Sequence, residues 1–480
     1  MKISYFVGRV LGLVTLLISC NVFAQQGKKS GKLNVLLIYA DDYNTKSGYN
    51  GHPIVQTPNL DKLAARSVNF KNAYCQYPLC SPSRTSLLSG KRPATTGIRD
   101  NNTPPRTHLQ STVFLPQLFK QNGYYTAQIG KIFHSQRFVK DGVPQGDFNI
   151  DTASWSFQYN ELVDVKDPEV IRLAHDPKTS PARSANQEWA ILNVADEQTG
   201  DGLVATKALA ILEQRVKSNT PFFIATGFRR PHAPYDVPKK YFDLYNNASI
   251  KVPTSPANDL DDIPPIALTK IDPLTDQETI DKIKGYYASI SFMDAQVGKL
   301  LQKLDEYKLW DNTIVIFLGD HGYHNGEHRG LWHKQTQFEE ATHGNLLLYT
   351  PQAVKGKEAK GFIEYVDVYP TIAELAGLKA PSDLEGKSFV PLLNAPEKKW
   401  KQAVFSEVVH EGVLGKSVRT EQYRYTEWGT DKVELYDLQK DPNEFTNLAG
   451  KSAYSTIQQQ LKQTLDKGWK TVKLISANTR

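Results

Sequence analysis

Residues 34–39 (Asn-Val-Leu-Leu-Ile-Tyr) form a short, unbroken apolar run, the pattern of a strand buried on both faces of a parallel sheet. The run leads into Asp41-Asp42. Thr57 and Pro58 then open a segment in which Leu60, Leu63 and Ala64 share a helical face, with Thr57 placed as N-cap and Pro58 in the first turn. Leu115, Leu118 and Phe119 line a second helical face that Gly123 stops, and residues 125–129 read as a strand that delivers Gly130-Lys131. The same alternation recurs downstream. Residues 203–216 read as a helix, 222–226 as a strand ending before Arg229-Arg230-Pro231-His232, and Ile283, Tyr287, Ile290, Val297, Leu301 and Leu304 as the apolar face of a long helix. Residues 313–318 form one more strand, leading into Asp320-His321.

Strands alternating with helices predict an α/β fold, a large and mostly parallel sheet sandwiched by helices. Such sheets bind ligands beyond the carboxyl ends of their strands. Asp41-Asp42, Lys131, His232 and Asp320-His321 each follow a predicted strand, so all can converge on one sheet edge. The pattern changes near residue 395. Residues 366–378 close the large domain with a helix and 391–399 read as a surface connection. Beyond it, 403–409, 417–419, 423–428 and 433–437 have strand character broken by turns, and 455–472 reads as a closing helix. The expected organisation is a leader over 1–24, a catalytic α/β domain over 25–395, and a small C-terminal antiparallel sheet with a packed helix over 396–480.

The leader reading rests on Lys2 and Arg9 ahead of an apolar stretch and on Val22-Phe23-Ala24, a small-residue cleavage site of the secretory type. Export to the periplasm or beyond is expected. Leu17-Ile18-Ser19-Cys20 supports the alternative of a lipoprotein tethered to the membrane through Cys20. Without Lys2 and Arg9 the formal charge falls by two, from +6 to +4, a mildly basic balance that suits an anionic substrate and calls for no nucleic-acid partner. Past the leader only Cys75 and Cys80 remain, too few for a disulfide scaffold, although the two could form a local disulfide or a metal pair.

Asp41, Asp42 and Asp320 are hard oxygen donors suited to Ca2+ or Mg2+. Five of the eleven histidines lie between His321 and His343, which raises a zinc alternative built from His321, His324, Glu327 and His328. Gly322 and Gly326 count against the helix that would align His324 with His328.

Cys80-Ser81-Pro82-Ser83-Arg84, followed by Thr85 and then Gly90-Lys91-Arg92, resembles the signature of type I sulfatases. The resemblance implies an alkaline phosphatase/sulfatase-like fold and oxidation of Cys80 to formylglycine by a formylglycine-generating or anaerobic sulfatase-maturating enzyme. It implies one Ca2+ held by Asp41, Asp42, Asp320, His321 and the modified Cys80. It further implies that Arg84 holds the formylglycine hydrate, Lys131 and His134 stand beside it, and Lys334 pins the sulfate oxygens. His232 would protonate the leaving sugar oxygen, and His134 would take the proton when sulfate is expelled.

Gly130-Lys131-Ile132-Phe133-His134 has one residue more between lysine and histidine than most sulfatases, and His321 stands where many have Asn. Both variants are similar to iduronate-2-sulfatases, as are Ser154-Trp155-Ser156-Phe157, Ala341-Thr342-His343 and Tyr423-Arg424-Tyr425-Thr426. The expected activity is therefore removal of 2-O-sulfate from a uronic acid in a sulfated oligosaccharide or polysaccharide, heparin-like or ulvan-type. Arg230, His328 and Arg329 are the candidates for meeting the sugar carboxylate. The alternatives are 2-O-sulfated xylose of ulvan, a phosphonate or phosphate monoester hydrolase of the same superfamily, and an inactive sugar-binding relative.

Overall fold

The strand Asn34–Asp41 runs through the centre of an eight-stranded sheet with all of its residues buried. Its side chains alternate between two apolar layers, so both faces need hydrophobic residues and the sequence shows a continuous run. Val35, Leu37 and Tyr39 enter one layer with Leu87, Leu118 and Ile372, whereas Leu36, Ile38 and Ala40 enter the other with Ala205, Ile290 and Val297. In this computed structural model the described residues are 31–134, 137–140, 143–147, 151–160, 172–175, 189–269, 271, 274–472 and 474. The expected leader, with Cys20, lies outside them. The described residues from Lys32 onwards belong to one compact unit.

The sheet order is Lys357–Ala359, Val68–Phe70, Leu346–Tyr349, Thr313–Gly319, Asn34–Asp41, Phe222–Pro231, Tyr125–Gly130, Phe157–Tyr159. Asn34–Asp41 pairs in parallel with both neighbours, and only Leu346–Tyr349 runs antiparallel to the strands beside it. Helices Cys80–Ser89, Leu115–Gln121 and Val368–Leu375 cover one face, and Gly200–Ser218 and Asp276–Glu306 the other. Among the described residues no helix is long and apolar enough to cross a membrane.

Several local expectations change in the structure. Thr57 precedes the helix Pro58–Ala64, but its hydroxyl donates to Asp61 Oδ1 (2.9 Å) and accepts from Gly48 N (2.9 Å), leaving the helix without a side-chain cap. Residues 391–399 are not wholly a surface connection. Val390–Asn394 is a short helix that buries Leu392 and Leu393, and Pro391 sits at its start, where a missing N–H costs nothing. The strand at Phe222 runs on to Pro231 because the Arg229 and Arg230 N–H groups donate to the Asp201 carboxylate at 2.8 and 2.9 Å. That extension carries His232 to the sheet edge.

The C-terminal strands Ala403–His410, Val413–Thr420, Tyr423–Trp428 and Lys432–Asp437 form an antiparallel sheet in sequence order. Val418, Tyr425 and Leu435 pack under Leu461 and Leu465 of the helix Ser455–Lys467. Val408, Trp428 and Tyr436 pack instead on Tyr77, Leu331 and Phe338, which lie within a few residues of Cys80 and Lys334. The small sheet thus supports the segments that carry the candidate chemistry.

Candidate active site

The in-phase pairing of Ala40 with Gly319 brings the two acidic pairs together. Gly319 is needed there, since a Cβ would lie 2.2 Å from the Tyr43 carbonyl oxygen. Asp42 takes a left-handed backbone (φ 58°), and its N–H donates to Asp320 Oδ1 at 3.0 Å. Its carbonyl accepts from the Tyr286 hydroxyl at 2.8 Å. Nothing in the sequence pointed to Tyr286, which lies 244 residues away on the long helix.

Cys80 opens the fully buried helix Cys80–Ser89 with Sγ 4.0 Å from Asp42 Oδ1. Asn101, another residue without a sequence signal, accepts from the Ser81 N–H at 2.9 Å and holds the start of that helix. One turn on, the completely buried Arg84 donates from Nε to Asp320 Oδ2 (2.8 Å) and from Nη2 to Asp41 Oδ1 (3.0 Å). Its Nη1 donates to the Lys131 and Ile132 carbonyls. Four of its five N–H groups are therefore engaged in joining three strand ends. Lys131 donates to Asp41 Oδ2 and Lys334 to Asp42 Oδ1, so three carboxylates face three permanent cations.

These charges set the titrations. Burial would raise the Asp41 carboxyl, but Lys131 and Arg84 hold it well below the ordinary range. Asp42 is pushed up to about 7, by burial first, with Lys334 opposing and Cys80 and Asp41 adding to the rise. Burial and Asp41 act to raise the Cys80 thiol, yet it stays below its ordinary value beside Lys131 and Lys334. Burial and then Lys131 press His134 down to about 2, leaving a neutral and weakly basic imidazole.

His232 forms the more open wall, its side chain 31% exposed with Nε2 3.7 Å from Asp42 Oδ2. Its Nδ1–H donates to the Ala233 carbonyl, so Nε2 is the nitrogen that faces the cluster. His321 is arranged in the same way. Nδ1–H donates to the Gly322 carbonyl (2.8 Å), and the buried Nε2 faces Cys80 and the carboxylates, 3.4 Å from Asp42 and 3.6 Å from Asp320. The three carboxylates suit a hard divalent cation, and the His321 ring nitrogen, fixed this way, faces two of them. Ligand atoms of Asp41, Asp42 and Asp320, and those of Asp42, Cys80 and His321, lie within 4.8 Å of one another.

The remaining candidates separate. Among the described residues the zinc set is not assembled: His324 Nε2 bonds Thr336 Oγ1 (2.8 Å), Glu327 pairs with Lys46 (3.0 Å), and His328 Nδ1 lies 3.3 Å from Asp259. His328 is also not available to a sugar carboxylate. It is 1% exposed and stacked on Phe338 at 4.1 Å, because its left-handed backbone (φ 47°) turns the ring inward. Arg230 donates to the His232 carbonyl (3.0 Å) and the Asp236 carbonyl (3.3 Å), which places it behind His232. Arg329 is exposed, its backbone N–H held by Ser255 Oγ at 3.1 Å.

The sulfatase family profile matches residues 33–378. The chain belongs to the sulfatase family. A second profile, the C-terminal region of N-sulphoglucosamine sulphohydrolase, matches residues 326–471. This sulfatase is 33% identical to a sulfatase of Formosa agariphila, over 97% of this chain and 92% of that protein. It is 30% identical to human iduronate 2-sulfatase (89% and 86% covered) and 29% identical to an ulvan-active sulfatase of Formosa agariphila (92% and 82%). The fold matches the phosphonate monoester hydrolase of Agrobacterium radiobacter with a TM-score of 0.78 at 23% identity, over 91% of this chain and 95% of that one. The sulfatase is a hydrolase of the alkaline phosphatase superfamily, with the mostly parallel sheet expected of it.

Proposed function

We propose that this sulfatase removes 2-O-sulfate from a uronic acid or closely related sugar of a sulfated polysaccharide. The observation that carries the reading is the position of Cys80, buried at a helix start among three carboxylates, with Lys131, Lys334 and a partly exposed His232 around it. Similarity to iduronate 2-sulfatase and to an ulvan-active sulfatase supports the sugar class. Converted to a formylglycine hydrate, position 80 would supply one hydroxyl to attack sulfur and a second whose deprotonation expels sulfate. Ca2+, held by Asp41, Asp42, Asp320 and His321, would supply positive charge beside the sulfate oxygens.

The side chains supply the rest. Lys131 and Lys334 bring two ammonium groups to where negative charge builds, already oriented before substrate arrives. His232 hands a proton to the leaving sugar oxygen from Nε2, since Nδ1–H is committed to Ala233. Burial and Lys334 hold its basicity down, so it carries that proton only with an anionic ester seated against it. For His134 to take the proton from position 80, as the family resemblance implies, its basicity must rise from the low value that burial and Lys131 impose, as it would with sulfate seated beside it. Of the three residues considered for the sugar carboxylate, Arg329 has the exposed side chain.

Sulfate release from defined oligosaccharides tests the substrate. Esters at the 2-O position of iduronate or of ulvan sugars are expected to be hydrolysed fastest, and a preference for 6-O-sulfated glucosamine or for aryl phosphonate would overturn the assignment. Ca2+ binding carries its own signature. With the Asp42 carboxyl raised to about 7, the cation must displace a proton on the acid side of that value. Affinity is expected to rise steeply below about pH 7, where Asp42 and His321 both give up a proton. It should go on rising by about tenfold per pH unit up to about pH 9, the value that His321 reaches against its burial, raised by Asp320 and Cys80. Calorimetry in buffers of different ionisation enthalpy reads the released protons, and a pH-independent affinity from about pH 5.5 to 7 would show that no ligand carries a proton over that range.

A further inference from the structure

One histidine connects the C-terminal sheet to the segment that carries Lys334. His410 ends the strand Ala403–His410 at a tight hairpin (Glu411 φ 49°, Gly412 φ 80°). Its ring lies in the wall of a cleft of about 700 Å3 that Pro265, Ile266, Gln335 and Lys432 also line. Nδ1 faces the Ile266 carbonyl oxygen at 2.7 Å, and Nε2 makes a hydrogen bond with the Gln335 carbonyl oxygen. A carbonyl oxygen only accepts, so each contact needs an N–H. Neutral imidazole has a single N–H and would set lone pair against lone pair at the other contact. The imidazolium cation satisfies both. The ring also lies over Trp428 (5.1 Å between centroids, 33°), an aromatic face that favours a cation.

The charged groups around the ring are few. Glu411 follows it in the chain, Lys432 lines the same cleft, and Lys334 precedes Gln335. Glu434, on the strand beside Trp428, is held by the Trp428 Nε1–H (2.6 Å) and the Tyr436 hydroxyl (2.9 Å). Residues 264–269 carry no ionisable side chain.

Gln335 is the peptide immediately after Lys334, in a left-handed backbone (φ 75°). Its N–H donates to the Pro78 carbonyl at 3.1 Å, two residues before Cys80, and its carbonyl accepts from His410. We propose that His410 is a positioning residue for sulfate ester hydrolysis, acting as an imidazolium that holds the Gln335 peptide and thereby keeps the Lys334 ammonium in register with position 80. The role rests on Lys334 being the lysine that meets sulfate. Loss of the ring proton would leave one carbonyl without a donor and free a segment strained at both His333 (φ 71°) and Gln335.

Nitrogen NMR of the full chain with labelled histidine reads the ring directly, with the His410 signal assigned from its absence in His410→Gln. Protons on both ring nitrogens at a pH where the enzyme is active are expected, and a single-proton tautomer there overturns the proposal. His410→Gln is expected to lower kcat on the order of ten- to a hundredfold, the scale of a small misplacement of a reacting group, and to raise KM by about tenfold because Lys334 also meets the sulfate of the bound substrate. His410→Arg, permanently charged and with a donor for each carbonyl, is expected to recover most of kcat and to lose any fall in activity at alkaline pH. Wild-type kcat in His410→Gln, or an alkaline fall that survives in His410→Arg, counts against it, and the arginine variant decides if the glutamine one does not fold. If the wild type hydrolyses no sulfate ester offered, the substrate reading fails by itself. Calorimetric binding of inorganic sulfate then replaces kcat, with at least about tenfold weaker binding expected for His410→Gln and equal binding excluding the role.

Discussion

A Cys80→Ala protein is expected to release sulfate on the order of a millionfold more slowly than the wild type, the scale seen when a covalent nucleophile is removed. The fold should survive. Cys80 is fully buried at the first turn of its helix, and alanine removes one sulfur from a pocket whose walls are held by other contacts, a loss of about 1 kcal/mol. Cys80→Ser separates the two hydroxyls of the proposed hydrate. Serine keeps an attacking oxygen but has no second hydroxyl to expel sulfate, so turnover should stop after at most one equivalent. Product release measured alongside intact mass distinguishes the cases, and turnover by Cys80→Ala above about one per cent of wild type would show that position 80 is not the nucleophile.

Arg84→Ala is expected to remove roughly 3–5 kcal/mol of stability in urea unfolding with chelator present, the cost of breaking buried ion pairs from one side. Arg84 has no exposed surface, and without it Asp41 and Asp320 lose a shared cation while the Lys131 and Ile132 carbonyls lose their donor. Arg84→Lys keeps the charge but lacks the planar fork that reaches all four partners, so it should recover little. The pH dependence has a definite sign. Lys131 and Arg84 depress the Asp41 carboxyl below its ordinary value of 3.8, so the stability it contributes is present above that value and lost as the pH falls below it. The gap between wild type and Arg84→Ala should accordingly narrow on acidification. A gap under about 1 kcal/mol at neutral pH would mean that the cluster does not depend on this guanidinium.

Much of the site could be read from the chain because its parts are local. A buried parallel strand needs apolar residues on both faces, so residues 34–39 and 313–318 stand out as runs, and the polar residues that end them lie at one sheet edge. Asp41, Asp42, Asp320, His321 and Lys131 were found that way and lie together. The histidine-rich stretch from His321 to His343 reads differently in three dimensions. Spacing allowed a zinc set and the family resemblance a sugar-facing His328, but left-handed backbone at His328 and Arg329 sends one side chain under Phe338 and leaves the other exposed. Leu392 and Leu393 were equally hidden, since two leucines in a Pro-containing stretch do not show which core will receive them.

The order of strands and helices, the residues at the strand ends and the Cys80 motif are properties of the sequence by itself, because each depends on near neighbours and on backbone periodicity. Tertiary structure alone decided which distant groups hold those residues: Tyr286 on the Asp42 carbonyl, Arg84 across three strand ends, and His410 on the peptide after Lys334. Hydrogen bonds between residues tens to hundreds of positions apart leave no periodic trace in a chain, and burial, which sets the charge states of Asp42 and His134, exists only once the layers have closed over them.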